Sequence, residues 1–419
     1  MNKRKQPQRL PPPILHDGET IDSAIVLTEF SGDLGLLLWK TVRSVRLWGE
    51  LSEGERPQAF GDGALAQRRG WIEGTLVPDE IRPAMQKAAA VLQPRARAAT
   101  VCTSCRELSD WANEQGLLGT AIEFLQAAAV VEPANAEVAR EVARLAKRRA
   151  EYTRAETWYR QAISRARMSR SWYDFSRSYI GLGTVFMHRG NFPQARRALI
   201  RGLRAAKRFS IRGLAAAAYH ELTVVAIRTD RLDESTRLAC LALQTYRVGH
   251  PRLPALAHDY GVYLMKAGYA AGALRTFVAS PPDFGTPLDR LARAAAIARA
   301  AGALGDPSTF TSARETADEL LRYPGTLQGA TPALLSLARG AASLGDSTLA
   351  SNYGAAARSG ATQRSEFALL HEAETFLDSL RYAGADQPPQ TEPLLPTPDH
   401  VDGVVTEFET ALTSLGAVR

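Results

Sequence analysis

A 34-residue spacing constrains this chain more than anything else in it. Leu108, Ala112, Gly116, Leu118, Ala121, Leu125 and Ala128 are matched one for one by Val142, Ala146, Ala150, Tyr152, Ala155, Tyr159 and Ala162. Small side chains at fixed places let two helices approach closely, and the large ones between them fill the gap. A period of this length therefore predicts helix pairs that stack on the next pair. A third block (Leu182, Gly183, Phe186, Gly190, Phe192, Ala195, Leu199, Gly202) stands about 40 residues further on. A fourth runs through Leu222, Ala226, Asp230, Ser235, Ala239 and Ala242, and a fifth through Tyr260, Gly261, Leu264, Gly268, Ala273 and Phe277. The turns Ala303–Asp306 and Ser343–Asp346 repeat a small-Leu-Gly-Asp pattern 40 residues apart, which predicts two more, degenerate pairs.

These residues, with Ala128 followed by the EPANAE turn at 132–137, resemble the tetratricopeptide repeat. The likeness covers about 102–360. It implies an all-α, right-handed superhelical solenoid of about seven helix pairs that acts as a protein-interaction scaffold or adaptor. Similar lengthened repeats occur in ligand-sensing solenoids of bacterial regulators, so a sensor or effector module stays open as a second reading.

The flanks complete the expected layout. Residues 1–13 read as a disordered basic, Pro-rich tail and 14–99 as an N-terminal helical region, since a solenoid needs an end cap. Within it, Ser31 is expected to cap a helix carrying Leu38, Val45 and Trp48, and Asp79 a second one. Residues 49–74, rich in glycine, show no period. The repeats occupy 100–381, a Pro-rich linker 382–399, and an acidic amphipathic helix 400–419.

Charge is unevenly spread. From Arg140 to Arg212 there are 19 Lys and Arg against four acids, whereas from Ala361 to the end there are three against ten. An acidic tail on a Pro-rich tether could dock on the basic middle, because a tether supplies an effective concentration of about millimolar. A neighbour's tail bound in the same way would give an oligomer.

Catalytic signatures are missing. There is no phosphate-cradling Gly-rich loop and no nucleophile elbow, and His220-Glu221 and His371-Glu372 lack the second histidine of a zinc motif. Neither cofactor nor metal is expected, nor an enzyme. Cys102 and Cys105 form a lone C-x-x-C that lacks half a zinc site; a redox pair is one reading, packing within the first repeat the other. No apolar run reaches the roughly 18–20 residues that cross a bilayer, and the polar HDGETIDS after the basic start is unlike a secretory signal, so a cytoplasmic protein without membrane contact is expected.

The repeat register instead assigns a binding face. With the small and Leu positions turned inward, the groove-facing positions hold Arg106, Asp110 and Asn113 in the first pair. The second pair contributes Glu137, Arg140, Arg144, Lys147 and Arg148, and the third Arg177, Thr184, Met187 and His188. His220 and His258 hold the same place in pairs four and five. The family's clamp for a C-terminal carboxylate falls on Arg106, Asp110, Glu141, Arg177 and Gly181, where only the flanking cations match. Three readings remain for this basic face. It binds an acidic protein or peptide through arginine's planar fork. It binds single-stranded nucleic acid, with Trp158, Tyr159, Trp172, Tyr173 and Phe175 among its cations. Or it is a solvated surface.

Overall fold

The computed structural model describes residues 24–323, 326–327, 329–363, 366–382 and 394–416. The tail 1–13 and most of the 382–399 linker lie outside the described residues. Every regular element described is an α-helix, with no strand, and no helix is long and apolar enough to cross a membrane. The chain forms two compact units that divide between Glu221 and Leu222.

Unit 1 begins with α1 (Ala24–Glu29) and α2 (Gly32–Glu50), followed by α3 (Arg56–Phe60), α4 (Asp62–Glu73) and α5 (Arg82–Val91). Three helix pairs follow: α6 (Ala98–Glu114) with α7 (Leu118–Val131), α8 (Ala136–Arg148) with α9 (Tyr152–Ser169), and α10 (Trp172–His188) with α11 (Phe192–Arg208). The fourth pair opens with α12 (Arg212–Arg228), inside which the units divide. Helix α2 lays Leu38, Val42, Val45 and Trp48 against α7, so the stripe that the sequence shows does bury itself on the first repeat. The Trp48 indole donates to the Gln93 carbonyl at 2.8 Å, and the Arg56 guanidinium covers its ring at 3.6 Å. Glu29 accepts from the backbone N–H groups of Gly119 and Thr120 at 2.9 and 2.6 Å, supplying an anion where α7 begins with unpaired donors.

Residues 49–74 differ from expectation: they hold α3 and α4 rather than an aperiodic connection. Packing overrides the glycines there. Phe60 and Ile72 are buried, and the buried Arg68 donates to the carbonyls of Ala89 and Leu92 at the end of α5. Those carbonyls have no partner within their own helix, so Arg68 serves as their cap.

Unit 2 continues with α13 (Leu232–Thr245), then pairs α14 (Leu253–Lys266) with α15 (Ala270–Ala279), α16 (Pro287–Ala303) with α17 (Pro307–Leu321), and α18 (Thr331–Ser343) with α19 (Ser347–Gln363). Helix α20 (Phe367–Tyr382) packs on α19, and α21 (Asp399–Gly416) ends the described chain. The two degenerate pairs pack closely on each other: a Cβ on Gly340 would stand 2.8 Å from the Ala298 carbonyl oxygen, so α16 and α18 touch backbone to backbone. The acidic helix α21 is not a free ligand on a tether. Val401, Val405, Phe408 and Leu412 are buried against α13, α14 and α15, Phe408 stacks on Tyr260 at 5.2 Å, and Arg275 clasps Asp402 and Glu409. Burial of an apolar face outweighs attraction between screened surface charges, which explains the seat it takes.

All seven turns inside the pairs place one residue at positive φ: Gly116, Ala150, Gly190, Asp230, Gly268, Gly305 and Gly345. Ala150 carries a Cβ in a conformation that costs an L residue about 1 kcal/mol, a cost glycine avoids. Ala150→Gly should therefore raise the stability of unit 1 by up to about 1 kcal/mol and Gly190→Ala lower it by a similar amount, both read from thermal unfolding.

Candidate functional site

The first helices of the three pairs in unit 1 carry a ladder of charge. Arg106, Arg140 and Asp174 follow one another at intervals of 34 residues on α6, α8 and α10. Arg106 donates to both oxygens of Glu137 at 3.2 and 2.8 Å, joining α6 to α8. Arg140 reaches Asp174 at 3.0 Å and also binds Glu141, joining α8 to α10. Glu141 accepts from Arg144 at 2.6 Å with its other oxygen, Arg148 donates to the side-chain amide oxygen of Asn113, and Lys147 donates to the Thr184 hydroxyl at 3.1 Å. Six cations (Arg106, Arg140, Arg144, Lys147, Arg148, Arg177) thus face four carboxylates (Asp110, Glu137, Glu141, Asp174), an excess of two.

Burial grades this face. The Arg140 side chain is 11% exposed; burial pulls its pKa down, but Glu141, Asp174 and Glu137 together outweigh that and hold it above the ordinary value. Burial likewise lifts the Asp110 carboxyl, with Arg106 opposing and Glu141 adding to the rise. Arg148 is the opposite case: its pKa is lowered by partial burial and then by Arg144, one turn away. Arg177 is half-buried and forms no ion pair with any described residue. Glu141 is shared between Arg140 and Arg144, so the uncompensated charge gathers at Arg148 and Arg177, with the partly answered Arg144 one turn from Arg148.

The histidines do not share one environment. His188 is exposed and stacks on Tyr152 at 5.4 Å, while His220 is buried at 5% exposure. His258, in unit 2, lines a cavity of about 250 Å³ with Pro254, Phe277, Phe284, Asp289 and Arg293. Its ring makes no hydrogen bond to any described residue, and burial lowers its pKa against the smaller opposing pull of Asp259 and Asp289. Arg293 spends two nitrogens on the Phe277 and Val278 carbonyls at 2.9 and 3.2 Å. A neutral imidazole with open nitrogens beside an apolar floor can take a hydrogen bond from a small ligand or a peptide group.

Cys102 and Cys105 both lie buried in α6 with free thiols. Burial, then Glu132, pushes the Cys102 thiol up to about 12, and burial raises Cys105 as well. Both side chains sit in the buried face of α6, where they pack within the first repeat. Of the aromatics placed among the cations, Trp158 and Tyr159 belong to the core and Tyr173 is 52% exposed. Sequence reasoning missed two things: that Asp174 neutralises Arg140, which the 34-residue offset between them signals, and the cavity, which no spacing signals.

No protein-family model matches the chain, and no curated protein matches it at a significant level. Solved structures do. The apo form of RapI aligns over 81% of this chain and 98% of its own, with a TM-score of 0.50 and 12% identity. A STAND protein (signal transduction ATPase with numerous domains) with a tetratricopeptide repeat sensor, from Pyrococcus horikoshii, aligns over 86% of this chain with a TM-score of 0.51 and 12% identity. The chain spans 58% of that protein's length. At such identity the likeness concerns the fold, which is an all-α array of tetratricopeptide-like helix pairs.

Removing Arg140 leaves Asp174 half-buried without its cation and Glu141 with Arg144 alone. Arg140→Ala should destabilise unit 1 by about 3 kcal/mol, whereas Arg144→Ala should cost under about 1 kcal/mol, by denaturant unfolding. For His258 the folded pKa lies below the ordinary value, so the unfolded chain takes up the proton first. Stability should fall as pH drops through about 6.5, with the loss complete below the folded pKa, and His258→Gln should flatten that part of the profile.

Proposed function

We propose that the protein is a binding module, an adaptor or scaffold rather than a catalyst, whose face on α6, α8 and α10 receives an acidic segment of a partner protein. One observation carries this reading: Arg144 and Arg148 stand one turn apart with like charge, and the pKa of Arg148 is lowered by burial and by that neighbour. A carboxylate placed between them relieves the repulsion, and Arg177 supplies a third donor beside it. Arg106 and Arg140 act as struts, since their charge is already answered by Glu137, Glu141 and Asp174. His188, at the end of α10, and Lys147 extend the face; His220 is too buried to meet a partner directly. Control by the acidic tail is left out of the proposal, because the apolar side of α21 is already covered within unit 2. In this reading α1 to α5 close the front of the array. The fold shared with RapI and with a tetratricopeptide repeat sensor supports a recognition role.

The cavity beside His258 favours a second reading, a sensor that holds a small ligand in unit 2 and a partner elsewhere. The two readings separate by probe. A fluorescent Asp/Glu-rich peptide should bind with an affinity that falls as salt rises, and Arg144→Ala combined with Arg148→Ala and Arg177→Ala should weaken it at least about tenfold. Unchanged affinity in the triple variant would sink the face on α6, α8 and α10 while leaving the cavity untouched.

A further inference from the structure

The strongest unanswered charge in unit 1 lies on a second helix of a pair. Helix α11 has six cations and no acid. Arg197, Arg201, Arg204 and Arg208 follow one another at spacings of four, three and four, which places them on a single stripe of the helix. All four are exposed, and none forms an ion pair with a described residue; Lys207 beside them is the same. That sets them apart from Arg106, Arg140, Arg154 and Arg160 of the same unit, each of which meets a carboxylate.

The stripe ends among aromatic rings. Arg201 lies over Tyr179 at 6.0 Å and Arg208 over Phe209 at 5.6 Å, and Phe209 stacks on Trp172 at 4.4 Å with the planes 4° apart. This stack brings the end of α11 to the start of α10, where Tyr173 is 52% exposed. The end of α9 arrives through the turn at Arg170 and adds two exposed cations free of described ion pairs, Arg167 and Arg170. One edge of unit 1 therefore combines a row of free guanidinium groups, a stacked ring pair and an exposed phenol.

We propose that this edge binds single-stranded nucleic acid. The stripe from Arg197 to Arg208 runs about 16 Å at 1.5 Å per residue, the length over which a stacked strand presents about five phosphates. Arginines track the backbone, and Tyr173, beside the Trp172–Phe209 stack, offers a π-face to a base whatever its identity. An anionic membrane would want large apolar side chains along the same stripe, and α11 presents cations there instead. An acidic protein would answer the cations and leave the exposed ring without a purpose. The cations it uses are distinct from those of the peptide reading, which are Arg144, Arg148 and Arg177.

The test is fluorescence anisotropy with a labelled oligo(dT) of roughly 15 nucleotides, near the upper range of common single-strand sites, titrated across salt. Binding with a steep salt slope is expected. Arg197→Ala, Arg201→Ala, Arg204→Ala and Arg208→Ala together should reduce that slope by about 2.8, at about 0.7 per lost phosphate contact. Tyr173→Ala should weaken binding about tenfold and leave the slope unchanged. Arg204→Glu with Arg208→Glu should abolish binding without altering the helical circular dichroism spectrum. Absence of binding, or an unchanged slope in the quadruple variant, would overturn the assignment. So would equal affinity for heparin and for anionic vesicles with no effect of Tyr173→Ala, which would mark a general polyanion surface.

Discussion

Helix separation is the constraint on which the rest depends. At Gly183 an added Cβ would sit 2.6 Å from Leu199, and at Gly340 it would sit 2.8 Å from a backbone oxygen of the neighbouring helix. Ala112, Ala121, Ala146, Ala155 and Ala162 are fully buried for the same reason. Close approach at these points sets the angle and register of each pair, and register decides which side chains face one another across pairs. The contact of Arg140 with Asp174 across α8 and α10 follows from it. The charge pairing between the first helices is thus a consequence of how alanine and glycine are distributed.

Charge on that frame is used in two ways. On the first helices of unit 1, cations and carboxylates of successive pairs cross-link and leave a small excess. On α11 the exposed stripe of Arg197, Arg201, Arg204 and Arg208 meets no carboxylate of a described residue. The difference follows from geometry: side chains of adjacent first helices meet across a short gap, where an unpaired charge would pay for partial desolvation, whereas the stripe on α11 stays in water and needs no partner. Basic composition alone therefore overstates the charge of the first face and says nothing of where the free charge lies.

The fold was legible in detail. Spacing located seven helix pairs, including the two degenerate ones, because the Leu-Gly-Asp turns at 303–306 and 343–346 mark a backbone conformation that few sequences tolerate. Helices α3 and α4 were not legible: their glycines weaken local preference, and the burial of Phe60, Ile72 and Arg68 that stabilises them comes from α5 and its neighbours. Of the candidate site, the sequence showed a row of cations and not their partners. Arg106 and Arg140 were found as cations, but their partners lie on the next helix. His220 and His258 share a register place yet end up buried and cavity-lining, since helix ends and loops such as 280–286 decide local access.

The sequence by itself determined the architecture, because helical period, small-residue positions and turn chemistry are local properties repeated along the chain. Tertiary structure decided which charges are answered, where the cavity opens beside His258, and that the acidic end packs through Phe408 rather than waiting as a ligand. Those outcomes depend on distances between residues far apart in the chain, and on apolar burial outweighing screened electrostatic attraction. Neither can be read from one segment alone.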